Sequence, residues 1–347
     1  MVRKASDLGY LVGPYDSYHS IHKPGEEKWS TASFKDKSLY EKATIENKKG
    51  EKEVGFQGEG RKLNPTLSMP SVKERVNSIL NEGYKFNSWF IDCDATGEIY
   101  DDYSKQHITT KEQDLNARLE RMSYIRDNKN MVIGSEGGND FASSTIAFAH
   151  GIETPAFAWV DPDMSENRDS EYYVGRYYSA SDGVPDVFAK QIPVKDKYKK
   201  VFIDPDYSVP LYKLVYNNSV ISTHQWLWGT LKIEDEVGSR MMKEILYNVP
   251  SMYHLDKVEW NKHKDQIITH NKVWSEFNKK AIKEEMTDFK FLTEDRLVQE
   301  TIYGEDLRVV ANFSGKEYKK DGEVISPKSL MIYDGADKME YNYSKEY

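Results

Sequence analysis

Cysteine is nearly missing from this chain. Cys93 is the single one among 347 residues, which excludes an intrachain disulfide framework and an all-thiolate zinc site. Long apolar runs are missing too: no stretch reaches the roughly 18–20 consecutive apolar residues of a membrane-spanning helix, so no span is expected. The opening residues, Met1-Val2-Arg3-Lys4-Ala5-Ser6-Asp7, lack the apolar centre of a secretory signal. The chain as given is therefore expected to carry no export address, being cytoplasmic as it stands and extracellular if the native protein is longer. Positive charge is in deficit, with 48 Lys and Arg against 57 Asp and Glu for a net charge of −9. An acidic chain is poorly suited to grip a phosphate backbone, and no nucleic-acid partner is expected. His19, His22, His150 and His224 have no regular metal-ligand spacing, so hydrogen-bonded structural histidines are the simpler reading, and neither metal nor cofactor is expected. Internal repeats and low-complexity tracts are absent.

What the chain does have is ordinary globular hydrophobicity, 38%, and an aromatic share of 13% that includes 24 Tyr and 7 Trp. Flat, partly polar rings of that kind pack cores and also stack on sugars or bases.

Apolar patterning alternates between strand and helix. Residues 9–18 read as a short strand ending in a Gly-Pro turn. Residues 20–68 are polar and sparse in apolar clusters, as in a long functional insertion. Helical spacing is expected over 70–81, with Val72, Val76, Ile79 and Leu80 on one face, and over 110–126, with Leu115, Leu119 and Met122 inward. Strands are expected at 89–94 and 131–136. A helix is expected over 142–149 and a strand over 154–159, before a loop rich in Tyr and Asp at 169–182. Residues 211–215 and 220–224 are apolar, and helices are expected at 234–247 and 264–285. Beyond Thr287 the runs 297–301, 307–313 and 329–333 are β-type.

Strand after strand ending in polar or acidic residues is the pattern of an α/β parallel sheet whose active groups gather at the C-terminal strand ends. The expected architecture is a (β/α)8 barrel over residues 1–287, followed by a small β-sandwich-like region, incomplete, at 288–347. Only five or six strands can be counted before Thr287; either strands hide in the polar insertion or the first one or two units of the barrel are missing, and the second is the preferred expectation.

Asp92 and Asp94 end one expected strand and Glu136 ends the next, 44 residues after Asp92. Two carboxylates meeting across a shared mouth suit retaining glycoside hydrolysis, in which one attacks the anomeric carbon and the other, about 5–5.5 Å away, protonates the departing oxygen. The acid needs a raised pKa, which burial or a neighbouring charge supplies. Strand-end carboxylates also cap helices, and Asp-x-Asp can hold a divalent cation. Tyr15, Asp16, Trp159, His224 and Trp226 are candidates for lining a sugar subsite. Trp89 is read as core.

Three strings resemble the endo-α-N-acetylgalactosaminidase-like glycoside hydrolases, the group holding families 101 and 129 and related bacterial families. They are Phe90-Ile91-Asp92-Cys93-Asp94-Ala95-Thr96-Gly97, Gly134-Ser135-Glu136-Gly137-Gly138, and Pro210-Leu211-Tyr212-Lys213-Leu214-Val215-Tyr216. The likeness extends from about Gly9 to Phe313. It implies a barrel followed by β-rich domains, with hydrolysis of α-linked N-acetylgalactosamine in an oligosaccharide or glycoconjugate with retention of configuration. Asp92 matches the nucleophile and Glu136 the acid/base, while Asp94 is a rival for the nucleophile, since two residues along a strand face the same way. The large N-terminal β-domain of the group has no counterpart here. The alternative expectation is a carbohydrate-binding protein without turnover, or an inactive portion of a hydrolase.

Overall fold

The computed structural model describes residues 1–178 and 183–343; the end of the expected Tyr/Asp loop, residues 179–182, lies outside them. The chain divides into two compact units, Met1–His150 and Gly151–Tyr347.

The first unit is built on parallel strands. They are β1 (Tyr15–Ser17), β2 (Ser88–Asp92), β3 (Val132–Glu136) and the first residues of β4 (Phe148–Thr154). Parallel neighbours need long crossovers. These are supplied by helix α1 (Pro65–Asn81) between β1 and β2, and α2 (Lys111–Ser123) between β2 and β3. The Asn64 side chain caps α1 by accepting from Thr66 N, and Pro65 takes the first position, where its missing N–H costs nothing. The helix therefore starts five residues before the expected 70. A reciprocal Thr110–Gln113 capping box opens α2.

Val72 and Val76 of α1 are fully buried, as their spacing predicts. The inner stripe of α2 differs from expectation. Leu115 and Leu119 are only half-buried, whereas Asp114, Arg118, Arg121 and Met122 are sealed. A charged stripe is tolerated there because each arginine meets a carboxylate. The polar segment 20–68 nevertheless buries Ile21, Phe34, Ile45 and Leu63, each 2% exposed or less. An antiparallel pair, Ser20–Ile21 with Arg61–Lys62, ties its two ends together.

The expectation for 142–159 needs correcting. A helix over 142–149 is replaced by a short turn, Asp140–Ala142, and the strand begins at Phe148 rather than 154. Alanine favours helix, but parallel pairing with β3 (Gly134↔Phe148, Glu136↔His150) takes precedence over that local preference. The residues expected to close the strand form a turn, Phe157–Val160.

In the second unit the remainder of β4 lies beside β5 (Ile221–His224), with Gln225 N donating to Thr154 O at 3.0 Å. The parallel sheet runs in the order β1-β2-β3-β4-β5. Among the described residues it has five strands, where a complete (β/α)8 barrel requires eight.

The C-terminal residues form an antiparallel sheet of β6 (Met286–Phe291), β7 (Val298–Tyr303), β8 (Leu307–Asn312), β9 (Ser329–Asp334) and β10 (Asp337–Asn342). Its order is β10-β9-β8-β7-β6. Alternation decides its two faces. Tyr303, Val309, Leu330 and Ile332 pack with Met242, Leu246 and Phe277 of helices α3 (Val237–Leu246) and α4 (Lys257–Ala281). Val298, Val310 and Tyr333 turn the other way and are covered by Ile325 and Tyr318.

Candidate active site

The register of the first unit decides which side chains share a face. Tyr15 pairs with Phe90 and Ser17 with Asp92; Phe90 pairs with Gly134, Gly134 with Phe148, and Glu136 with His150. With side chains alternating along each strand, one face carries Tyr15, Ser17, Phe90, Asp92, Gly134, Glu136, Phe148 and His150. The other carries Asp16, Trp89, Ile91, Ile133, Ser135 and Ala149, all buried. Trp89, fully buried, is thus a core residue.

Asp92 and Glu136 are the last residues of adjacent strands, side by side in one row. Neighbouring strands lie about 4.8 Å apart, so the two carboxyl groups are brought together by pairing alone. One ligand-type atom each from Asp92, Cys93 and Glu136 lie within 4.8 Å of one another. Burial, then a hydrogen bond and the negative charge of Asp92, push the Glu136 carboxyl up to about 8. The Cys93 thiol donates to Glu136 Oε2 at 3.5 Å, and burial, followed by the charges of Asp92 and Glu136, pushes that thiol well up. Tyr15 is about half-exposed and stacked on Phe90 with ring centroids 5.7 Å apart. Burial and the Asp92 charge push its phenol well above the ordinary value.

Two glycines make room for this row. A side-chain carbon on Gly134 would lie 1.9 Å from the Phe148 ring. Gly137 has φ +72°, and such a carbon would meet Ala95 O and Thr96 Cα at 3.0 Å.

Asp94 is not placed with the pair. The strand stops at Asp92, and Cys93 adopts φ +62°, a left-handed conformation that breaks the two-residue alternation. Asp94 is turned inward, 0% exposed, where both of its oxygens accept from Arg121, Nε to Oδ2 at 2.5 Å and Nη2 to Oδ1. As a rival nucleophile it has no face to offer a substrate. An Asp92/Asp94 cation pair is lost for the same reason, and the Asp92–Cys93–Glu136 set holds fewer oxygens than the roughly six to eight that a calcium ion takes. Asp16 is corrected likewise. It is 3% exposed, on the face opposite Asp92, and its Oδ1 accepts from Arg75 Nη1 at 3.0 Å, so it is a buried ion-pair residue rather than a sugar contact.

His224, Trp226 and Trp159 belong to the second unit. His224 is 4% exposed, with Nδ1 2.9 Å from Thr154 Oγ1 and Nε2 3.1 Å from Glu244 Oε1. Burial lowers its pKa. It borders a cavity of about 400 Å³ shared with Glu153, Tyr212 and Lys243. The Trp226 carbonyl accepts from His254 Nε2 at 2.9 Å, and the ring packs in a cluster around Phe157 and Trp228. Trp159 is 41% exposed in the Phe157–Val160 turn.

Several residues of the first-unit site escaped the sequence reading: Cys93, His150 of the same row, and a polar group of His19, Lys62, Glu98 and Tyr100 beyond the ends of β1 and β2. His19 lies 2.8 Å from Glu98, a contact across 79 residues of chain that no local pattern announces.

The chain belongs to the family described as glycosyl hydrolases related to GH101 family, GH129, which matches residues 1–302. No match was found among curated protein sequences. Among solved structures it is similar to the alpha-N-acetylgalactosaminidase NagBb from Bifidobacterium bifidum. The ligand-free form gives a TM-score of 0.60 at 17% identity over 90% of this chain and 42% of that one. The Gal-NHAc-DNJ complex gives 0.60 at 17% over 94% and 44%. A cycloalternan-degrading enzyme from Trueperella pyogenes, in complex with isomaltose, gives 0.52 at 9% identity over 98% and 49%. At such identities the likeness is one of fold, and the chain spans less than half the length of each of these structures.

Proposed function

We propose that the protein is a retaining glycoside hydrolase acting on an α-linked sugar, with Asp92 as nucleophile and Glu136 as acid/base. The parallel sheet is then part of a (β/α)8-type barrel to which residues 1–287 contribute, and residues 288–347 are its β-rich appendage. The observation that carries the reading is the placement of two carboxyl groups in one row of adjacent strand ends, within 4.8 Å by one oxygen each. A close approach of that order favours retention, which works at about 5–5.5 Å between carboxyl groups, over inversion, which works at roughly 6.5–9.5 Å.

The chemistry follows from the charges. Asp92, ionised, attacks the anomeric carbon as the glycosidic C–O bond breaks, and Glu136 gives its proton to the departing oxygen. Glu136 holds that proton near neutrality because burial and the Asp92 charge disfavour its anion. Once Asp92 is esterified its negative charge is gone. Glu136 then becomes the stronger acid, sheds its proton, and as a carboxylate takes a proton from water. The resulting attack restores Asp92 and leaves the sugar with its original configuration. The family and the name of the similar structures make an aryl α-N-acetylgalactosaminide the first substrate to try.

Asp92→Asn and Glu136→Gln should each lower kcat on that substrate by about 10²–10⁴-fold or more. Azide added to Asp92→Gly should give the glycosyl azide of inverted configuration, and added to Glu136→Ala the retained one. Wild-type rates in either carboxylate variant would remove that residue from the mechanism. Saccharide affinity without turnover in the wild type would leave a carbohydrate-binding protein instead.

A further inference from the structure

His19, Lys62, Glu98 and Tyr100 come from three separate segments and converge on one carboxylate. Glu98 Oε2 accepts from Lys62 Nζ at 3.0 Å and lies 2.8 Å from His19 Nε2, while Oε1 accepts from Tyr100 Oη at 2.5 Å. Lys62 Nζ is also 2.7 Å from His19 Nε2. One ring nitrogen cannot both donate to Glu98 and accept from Lys62. Burial lowers His19 to about 4, so near neutrality the ring carries a single proton.

A cluster serving only to fix the insertion would be sealed, as Asp94 and Arg121 are. This one is open on one side: the Glu98 side chain is 47% exposed, against 6% for His19 and 9% for Lys62. It also borders the carboxylate pair. The loop from Asp92 to Glu98 is pinned by Thr96 Oγ1 donating to Cys93 O at 2.9 Å and abuts Gly137, the residue after Glu136. Glu98 acts electrostatically on Glu136, and Lys62 on Cys93.

We propose that Lys62 and Glu98, steadied by His19 and Tyr100, form the subsite that recognises neighbouring hydroxyl groups of a neutral sugar held against Asp92 and Glu136. Glu98 accepts from the hydroxyls and Lys62 donates to one of them. The pair has no net charge and Glu98 adds its field to that of Asp92 at Glu136, so anionic sugars are disfavoured. This rests on the glycosidase reading above, and the two are separated by reading binding and turnover independently.

The test uses Glu98→Gln and Lys62→Met in the full chain, with thermal unfolding to confirm that both fold. Hydrolysis of the 4-nitrophenyl α-N-acetylgalactosaminide is measured, together with binding of methyl α-N-acetylgalactosaminide and its 3-deoxy, 4-deoxy and 6-deoxy analogues to the Asp92→Asn protein with and without each change. The expected result is an about 10- to 100-fold loss of affinity for the parent sugar in each variant. For the analogue lacking the recognised hydroxyl the variants should differ less than about threefold from their background. On the 4-nitrophenyl substrate kcat/KM should fall by a similar factor in each variant. Equal losses for every analogue, or no loss, overturn the subsite even while hydrolysis proceeds. Selective binding in a protein that hydrolyses nothing overturns the glycosidase reading and keeps the subsite. No binding of any of these sugars overturns the subsite outright.

Discussion

Glu136 and Asp94 are both carboxylates beside the end of the same sheet, yet their surroundings give them opposite characters. Glu136 is half-buried next to another carboxyl and is pushed up to about 8 by burial and by Asp92. Asp94 is sealed against an arginine. The proton on Glu136 has two measurable consequences. In the proposed mechanism kcat/KM requires Glu136 protonated, so it should fall tenfold per pH unit above about 8, and that limb should vanish in Glu136→Gln. Stability should respond as well. A carboxyl raised from 4.5 to about 8 keeps its proton in the native state where the unfolded chain has released it. Its contribution therefore becomes less favourable as pH rises through that window and is fully unfavourable above it. Glu136→Gln should accordingly gain thermal stability relative to wild type as pH rises from 5 to 8. A constant difference across that range would contradict the assignment.

Elements set these characters through how they end. Strand β2 stops at Asp92 and the left-handed Cys93 redirects the chain, so the same-face expectation for Asp92 and Asp94 fails. It would have held had the strand run two residues further. Asp94 is delivered to Arg121 on helix α2, coupling the strand end to the crossover helix. Asp94→Ala would leave that guanidinium buried without its partner, and a loss of about 3–5 kcal/mol is expected in denaturant unfolding. A change below 1 kcal/mol would mean that the pair holds little. The segment 142–159 teaches a similar lesson. Its alanines suggest helix, but the pairing that makes it a strand comes from β3, which local composition does not contain. By contrast the helix over 70–81 and the apolar strands that lead into Asp92 and Glu136 could be read directly, since apolar spacing and polar endings are local signals.

For the molecule as a whole, the carboxylate pair and the groups acting on it, Asp92, Cys93 and Glu98, all belong to Met1–His150. The large mixed core of helices α3 and α4 against the antiparallel sheet belongs to the other unit. Phe277, 2% exposed and edge-on to Tyr303 at 5.4 Å, is central to that core. Phe277→Ala should cost about 3–5 kcal/mol in unfolding while leaving the alkaline midpoint of the folded enzyme where it was. A shift of that midpoint would show that the second unit takes part in setting the Glu136 proton.

Sequence alone determined that apolar strands end in acids at Asp92 and Glu136, because strand patterning and its polar termination are written within a few residues. Tertiary structure alone decided that these two share a row, that Asp94 and Asp16 go to arginines, and that Glu98 meets His19 and Lys62. Those outcomes depend on register and on a backbone turn at Cys93, which are fixed by contacts between segments tens of residues apart.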